Sequence, residues 1–386
     1  MSMLKALVGA RIFDGDGWHE GQTLMLDGDR ILGLGAEADR LADLETIDCA
    51  GMIIVPGFID LQVNGGGGVL LNDDQSVEGI STICASHARY GTTALLPTLI
   101  TDTREITASA IEAGRQAKAA GVPGFLGLHL EGPHLSVARK GTHHPGLIRP
   151  MEEADVERLV ALEGAFDAMM ITVAPESTTE DQVRRLTKAG FVVSLGHTNT
   201  AYETAERYVA AGARTATHLF NAMSPLENRA PGLVGAAINL GTLHAGIIAD
   251  GFHVHPASMT IALRAKRGPG RIFLVTDAMS TIGTDMSGFL LNGRQIYRKD
   301  GRLTLADGTL AGADIDMLSS VLFVHRVLDL PFEEAVRMAS LYPAEAIGLA
   351  TRKGRLAAGF DADFVILAEN HRINSTWIAG NCVFRA

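Results

Sequence analysis

The sequence is poor in cysteine, short of positive charge and without long apolar runs, and each shortage removes a class of protein. Its three cysteines, Cys49, Cys84 and Cys382, are widely separated and form no C-x-x-C pair. Neither a disulfide framework nor a structural zinc knot is therefore expected, and reduced intracellular thiols are the simpler reading. Lysine and arginine number 33 against 44 acidic residues, giving a formal net charge of −11. That balance argues against nucleic-acid binding, which relies on a basic face. It leaves room for an anionic small molecule, because a phosphate needs only one or two local cations. No uncharged apolar run reaches the roughly 18 residues of a membrane span. Met1–Arg11 lacks the basic segment, apolar run and small-residue cleavage site of a signal peptide. The expectation is a soluble cytoplasmic protein with no membrane or nucleic-acid partner, no internal repeat and no low-complexity segment.

What is present is an ordinary globular composition, 47% hydrophobic and 20% charged over 386 residues, enough for a sizeable core. The ends differ from the middle. Residues 4–55 carry short β-like runs broken by Asp-Gly, Gly-Asp and Gly turns, and the stretch from Gly354 to Ala386 does the same. Neither end has enough strands for a sandwich alone. Residues 1–55 and 355–386 are therefore expected to build one small β-sandwich domain together.

Between them, short apolar runs alternate with helical stretches, the pattern of a parallel sheet with crossover helices. Eight runs stand out: Ile53–Val63, Thr93–Thr98, Gly124–Leu130, Met169–Val173, Phe191–Leu195, Thr215–His218, Ala245–Ala249 and Ile272–Thr276. Helices are expected over Val77–Tyr90, Arg104–Ala120, Ala154–Leu162, Glu180–Ala189 and Thr200–Ala211. The fold class is α/β, a (β/α)8 TIM-type barrel over residues 56–354. Its weakest link is the Gly- and Pro-rich stretch Asn221–Leu243. An insertion after the eighth run, Met279–Gly312, contains "KDGR", which reads as a hairpin turn.

Polar residues recur at the C-terminal ends of these runs, where barrel enzymes place their active sites. The first run carries Asp60, Gln62 and Asn64; the third ends in Glu131, the fifth in His197, the sixth in His218, the seventh in Asp250 and His253, the eighth in Asp277. Taken alone, His197 or His218 reads as an ordinary strand-end histidine. With Glu131 they make two imidazoles and a carboxylate, a known three-ligand set for catalytic Zn²⁺ that leaves a position open for water. Asp277 alone would be a cap, but beside activated water it reads as a general base. The "NGGGG" at 64–68 lacks the phosphate-loop layout and reads as a flexible loop at the barrel mouth. Arg229 could reach a phosphate, and "RKGTHHPG" offers Arg139, Lys140, His143 and His144. His129 and His134 read as supporting or packing histidines.

The segments "VPGFIDLQVNG", "HLEGP", "KGTHHP", "SLGHTNT", "THLFNAM", "ADGFHVHP", "VTDAM" and "GRLAAGFDADFVIL" together resemble the N-acetylglucosamine-6-phosphate deacetylase family of the amidohydrolase superfamily. The resemblance implies hydrolysis of N-acetyl-D-glucosamine 6-phosphate, or of its galacto epimer, to the amino sugar and acetate. It implies Glu131, His197 and His218 as metal ligands, Asp277 as general acid/base, and His143 orienting the acetyl carbonyl. Thr142, His143, Asn221, Ala222, Arg229 and His253 would hold the sugar phosphate, with Leu310, Ala311 and Gly312 closing over the acetyl group. Homodimers are the family habit. Where many amidohydrolases carry H-x-H at the end of the first strand, this chain has Gln62-Val63-Asn64. Neutral amides are poor ligands for a zinc-like ion, so one divalent cation per subunit is expected: Zn²⁺ best, with Fe²⁺, Co²⁺ or Mn²⁺ compatible. The residues after "LAG" read "ADIDM" where the family more often has small hydroxyl residues, which bears on acyl preference. Dinuclear relatives bridged by a carboxylated lysine fit poorly, because the fourth run ends "TVAPE" with no lysine. A catalytically silent barrel fits poorly as well, because all three ligands and Asp277 are present.

Overall fold

The first apolar run, Ile53–Val63, folds as two strands with different destinations. The computed structural model, which describes residues 4–35 and 44–386, ends one strand at Pro56 and starts the next at Phe58. A Cβ on Gly57 would lie 2.1 Å from the Thr93 hydroxyl oxygen, so only glycine allows the close approach at that break.

Met52–Pro56 joins a six-stranded sheet, antiparallel to Phe364–Ala368 and parallel to Arg11–Phe13. A four-stranded sheet, ordered Arg30–Gly35, Thr23–Asp27, Leu4–Val8 and Leu44–Asp48, faces it. Leu7, Leu24, Leu26 and Ile31 from one sheet and Ile12, Ile54, Phe364, Ile366 and Trp377 from the other form a common core. Both termini thus contribute to one small β-sandwich, as neither could bury an apolar face alone.

The eight-stranded parallel sheet runs β1 (Phe58–Val63), β2 (Thr92–Ile100), β3 (Gly127–Glu131), β4 (Ala168–Val173), β5 (Phe191–Leu195), β6 (Thr215–Ala216), β7 (His244–Ile247) and β8 (Ile272–Leu274). It closes into a barrel just beyond β8. The Asp277 N–H donates to the Gln62 carbonyl at 2.9 Å and the Asn64 N–H to the Ala278 carbonyl at 2.8 Å. Period-two alternation sorts β1: Ile59, Leu61 and Val63 enter the main apolar core, while Asp60, Gln62 and Asn64 share the opposite face.

The strands alternate with helices α1 (Val77–Ala88), α2 (Arg104–Ala119), α3 (Glu153–Val160), α4 (Glu180–Lys188), α5 (Tyr202–Ala210), α6 (Gly232–Asn239), α7 (Pro256–Ala265) and α8 (Met317–Arg326). Their starts are set locally: Ser76, Thr103 and Asp316 cap α1, α2 and α8, and Thr179 with Gln182 makes a capping box on α4. On α2 the buried residues Ala110, Ala113, Gly114 and Ala117 recur at i, i+3, i+4 and i+7, the stripe expected of a barrel helix. Helix α6 lies in the segment that was the weakest link in sequence. Seven of its eight residues are buried, so it has no polar face to reveal a helical period.

The insertion after β8 is a four-stranded antiparallel sheet: Gly288–Leu291, Arg294–Lys299, Arg302–Thr304 and Leu310–Ala313. Its expected hairpin turn is Asp300-Gly301, and Asn292-Gly293 forms another. All four residues have positive φ, between 48° and 74°, as two-residue turns of this kind require. Phe289, Leu291, Ile296, Leu303 and Ala311 pack with Leu70, Ile100 and Met279, which fixes this sheet over the mouth of the barrel. The glycine-rich segment differs from the flexible loop expected. Gly65–Gly66 pair with Val69–Leu70, and the Gly67 and Gly68 amides donate to Ile282 and Ser280. A Cβ at Gly65 would meet the Val69 carbonyl at 2.2 Å, so these glycines serve close packing. Among the described residues no helix is long and apolar enough to cross a membrane.

Candidate metal centre and active site

Strand ends deliver the polar groups, and the backbone bends to aim them. His197, His218 and Asp277 lie just past β5, β6 and β8 with φ of 46°, 28° and 51°. For non-glycine residues the left-handed region costs roughly 1–2 kcal/mol each. Its appearance at all three positions marks backbone bent to present side chains.

Glu131 Oε1 lies 3.2 Å from His197 Nε2 and 3.1 Å from His218 Nε2, and the two nitrogens are 3.1 Å apart. Bonds of about 2.0–2.2 Å to a tetrahedral cation would separate neighbouring ligand atoms by roughly 3.3 Å, so this triangle has the edge lengths of a metal-binding face. The donor chemistry also fits. His197 Nδ1 lies 2.9 Å from the Arg139 carbonyl and must donate to it, leaving a bare Nε2 lone pair toward Glu131. A lone pair facing a carboxylate oxygen at 3.2 Å is repulsive unless a cation or proton lies between them. Burial would raise the Glu131 pKa, but positive charge shared with the His197 and His218 rings outweighs it and holds the carboxyl well below the usual carboxylate range.

A second grouping overlaps the first: Glu131, His143 and His197 also place ligand atoms within 4.8 Å of one another. The role of His143 follows from its tautomer, assigned here from its neighbours. The Thr101 backbone N–H, whose hydrogen cannot rotate away, points at His143 Nδ1 at 3.3 Å, and the Thr101 hydroxyl lies 2.8 Å from the same atom. Nδ1 is therefore the acceptor and Nε2 carries the hydrogen, 3.7 Å from Glu131 Oε2. Burial, with the neighbouring His197, pushes the His143 pKa down to about 3, so the ring is neutral. It faces the site as a hydrogen-bond donor.

Asp277 Oδ1 accepts from Asn64 Nδ2 at 2.6 Å and Gln62 Nε2 at 3.2 Å, and the Gln62 amide also donates to Glu131 Oε1 at 3.0 Å. Where a second cation would neutralise the two carboxylates, amide hydrogens lie instead. Burial, then the nearby Glu131 charge, raises the Asp277 pKa from 3.8 to about 6. Asp60 does not enter this site. It accepts from the Thr276 hydroxyl at 2.5 Å and the Thr276 N–H at 3.2 Å, pinning the residue before Asp277 to β1.

Asn64, Glu131, His143, His197, His218 and Asp277 line a cavity of about 390 Å³ together with Thr142, Asn221, Ala222, His253, Leu310 and Gly312. His253 Nδ1 is 2.6 Å from Asp250 Oδ2, which leaves Nε2 as the nitrogen available to a ligand. Two sequence candidates fall elsewhere. Arg229 lines a different cavity with Arg139, Asn199 and Glu227. Ala311 alternates away from Leu310 and Gly312 into the apolar core of the inserted sheet. His129 and His134 also stay out of this cavity, bonded to the Thr172 hydroxyl and the Arg149 carbonyl.

Sequence reasoning missed Thr101 and Arg294. Thr101 was within reach: β2 continues to Ile100, so Thr101 is its strand-end polar residue, hidden by ending the second run at Thr98. Arg294, whose guanidinium donates to the Thr142 carbonyl, gives no signal in sequence because its partner lies 152 residues away.

A sequence pattern described as "Amidohydrolase family" matches residues 53–383. An N-acetylgalactosamine-6-phosphate deacetylase of Shewanella sp. is 43% identical, the alignment covering 86% of this chain and 84% of the relative. An N-acetylglucosamine-6-phosphate deacetylase of Haemophilus influenzae is 36% identical over 93% of both. The crystal structure of N-acetylglucosamine-6-phosphate deacetylase from Pasteurella multocida superposes with a TM-score of 0.93 at 35% identity, covering 98% of this chain and 99% of the other.

Proposed function

The chain belongs to the amidohydrolase family, and we propose that it removes the acetyl group from an N-acetylated amino-sugar 6-phosphate. N-acetyl-D-glucosamine 6-phosphate is the first candidate substrate and its galacto epimer the second, since relatives of both names are similar over most of their length. The observation that carries the proposal is the Glu131–His197–His218 triangle with a buried, raised-pKa Asp277 beside it.

In this reading Glu131, His197 and His218 hold one divalent cation, Zn²⁺ by donor type, with Fe²⁺, Co²⁺ and Mn²⁺ as alternatives. Bound there, the cation would polarise the amide carbonyl and lower the pKa of the attacking water. Asp277, ionised and held by Asn64 and Gln62, takes the proton from that water and passes it to the departing amine nitrogen. His143 donates its Nε2–H to the acyl oxygen as negative charge develops there. Thr142, Asn221, Ala222 and His253 hold the sugar phosphate, while Leu310 and Gly312 bound the acetyl group. A cytoplasmic homodimer belongs to the same proposal, supported by the three free cysteines and the family resemblance.

The test is acetate release from N-acetylglucosamine 6-phosphate, its galacto epimer and the unphosphorylated sugar, with and without chelator. Chelator-sensitive turnover of a phosphorylated sugar is expected, with little activity on the unphosphorylated one. Turnover of the galacto epimer alone would keep the chemistry and change the substrate. Metal-loaded protein inactive on all three would refute the substrate class. Elemental analysis of Glu131→Ala should find the metal lost; full occupancy would refute the ligand set.

A further inference from the structure

We infer that Arg294 is a positioning residue for this reaction: from the inserted sheet it fixes the Thr142–His143 peptide and so holds the His143 Nε2–H on the acyl oxygen. The inference rests on the deacetylase reading and adds to it a residue outside the cavity wall.

The Thr142 carbonyl belongs to the same rigid peptide plane as the His143 N–H. Arg294 donates through Nη2 to that carbonyl, while the His143 N–H donates to the Lys140 carbonyl at 3.0 Å. The peptide plane is thus held at both ends. The ring is held at a third point, where Nδ1 accepts from Thr101. Removing Arg294 releases one of three constraints on a side chain whose backbone is otherwise a loop between β3 and α3. Tight packing bounds that loop on its other side: a Cβ on Gly141 would lie 3.3 Å from His197 Cε1.

Nothing else in the structure accounts for Arg294. Among the described residues it makes no ion pair, and its Nε is buried without a partner. A partly buried guanidinium whose Nε is out of solvent and unpartnered, with no carboxylate paired to it among the described residues, is a costly choice if its only task is to stabilise the fold. The platform under it is rigid. Arg294 follows the Asn292-Gly293 turn, on the strand after Leu291, and Leu291 and Ile296 sit in the apolar cluster with Ile100 and Met279. Arg298 on the same strand donates to Asp314 at 2.7 Å and to the Thr284 carbonyl at 2.7 Å. The other end of the sheet, Leu310–Gly312, reaches the cavity, so one inserted unit meets the site from two sides.

The experiment compares Arg294→Met and Arg294→Lys in the wild-type and His143→Gln backgrounds, on N-acetyl and N-trifluoroacetyl glucosamine 6-phosphate. A displaced donor is expected to lower kcat for the acetyl substrate about 10- to 100-fold in Arg294→Met, with KM changed much less. The loss should shrink for the trifluoroacetyl substrate, whose electron-poor carbonyl needs less polarisation, and should nearly vanish in the His143→Gln background. Arg294→Lys should recover part of it. Independently of turnover, ¹⁵N NMR of the His143 ring should show one Nε2–H tautomer in the wild type and a broadened or mixed signal in Arg294→Met. An equal loss in both backgrounds, a defect confined to KM, or an unchanged His143 signal would overturn the inference. Wild-type protein inactive on both substrates would instead overturn the deacetylase reading, and the NMR comparison would still decide the role of Arg294. If Arg294→Met fails to fold, Arg294→Gln carries the same comparison.

Discussion

This chain buries two clusters of carboxylates, and the difference between them separates holding a fold from preparing a reaction. At the junction of the sandwich and the barrel, Lys353 Nζ lies 2.5 Å from Asp363 and 2.8 Å from Asp361. Arg352 reaches Asp361 at 2.9 Å and Arg30 joins from the opposite side. Asp363 also accepts the Ala379 N–H at 2.8 Å. Every negative charge there meets a permanent cation supplied by the chain. At the barrel mouth, Glu131 and Asp277 are buried just as deeply, yet neither lysine nor arginine lines their cavity. They receive imidazole edges and amide hydrogens instead. A carboxylate cluster with permanent cations built in is finished; one served by amides and titratable imidazoles has no fixed positive charge of its own, and can take one up and release it.

The largest effect should come from deleting the base without disturbing that balance. Asp277→Asn keeps the shape and the Asn64 and Gln62 neighbours, so the protein should bind metal at wild-type stoichiometry. Its kcat should fall by about 10²- to 10⁴-fold, the usual worth of a positioned acid/base. Metal analysis beside steady-state kinetics checks both halves. Near-wild-type turnover would remove Asp277 from the mechanism.

At the other cluster the expected damage is to stability alone. Lys353→Met leaves buried Asp363 without a cation while Asp361 keeps Arg352 and Arg30, a loss of about 3–5 kcal/mol for a broken buried pair. The denaturant midpoint should drop accordingly, while metal content and kcat of the folded fraction stay near wild type. A kcat loss matching the stability loss would mean that the two clusters are not independent.

The two regions were unequally legible in the sequence. Strand-end placement exposed Glu131, His197, His218 and Asp277 because each follows a run whose period and length are plain. The same rule missed Thr101 because β-branched and apolar residues run on without a break from Thr92 to Ile100. The split at Pro56-Gly57 was hidden for a related reason: both strands are apolar, and only the packing of Thr93 against Gly57 shows where one sheet ends. Contacts made by sheet insertions, Arg294 on Thr142 above all, connect segments far apart in the chain, and no local pattern encodes them. Arg229, a loop arginine given a phosphate role by resemblance, lines a separate cavity of this chain with Arg139 and Asn199. Asp361 and Asp363 lay in a motif recognised only for its family resemblance, and of their cations Arg30 joins only once the termini meet.

The smallest effect, and the sharpest on the comparison, is in pH. Asp277 works as a base only when ionised, and its pKa is raised from 3.8 to about 6 by burial and by Glu131. Activity should therefore fall as pH drops, and a bound dication, favouring the charged form, can only move that limb lower. For the loaded protein, kcat/KM should lose about tenfold per unit below an apparent pKa at or under 6. In metal-free protein the same shift acts on stability with the opposite slope. A carboxyl whose folded pKa is raised stabilises fully below 3.8, and that contribution is lost as pH rises through about 6. Lys353 supplies no such slope. Desolvation lowers its pKa, but Asp363 and Asp361 more than offset this and raise it above 10.5, so its contribution is constant through the range where Asp277 titrates. Chelated wild-type protein should therefore lose melting temperature between about pH 4 and 7 relative to chelated Asp277→Asn. Parallel curves for the two proteins would mean that the charge near the metal centre is balanced without a cation, and the contrast between the clusters would fail.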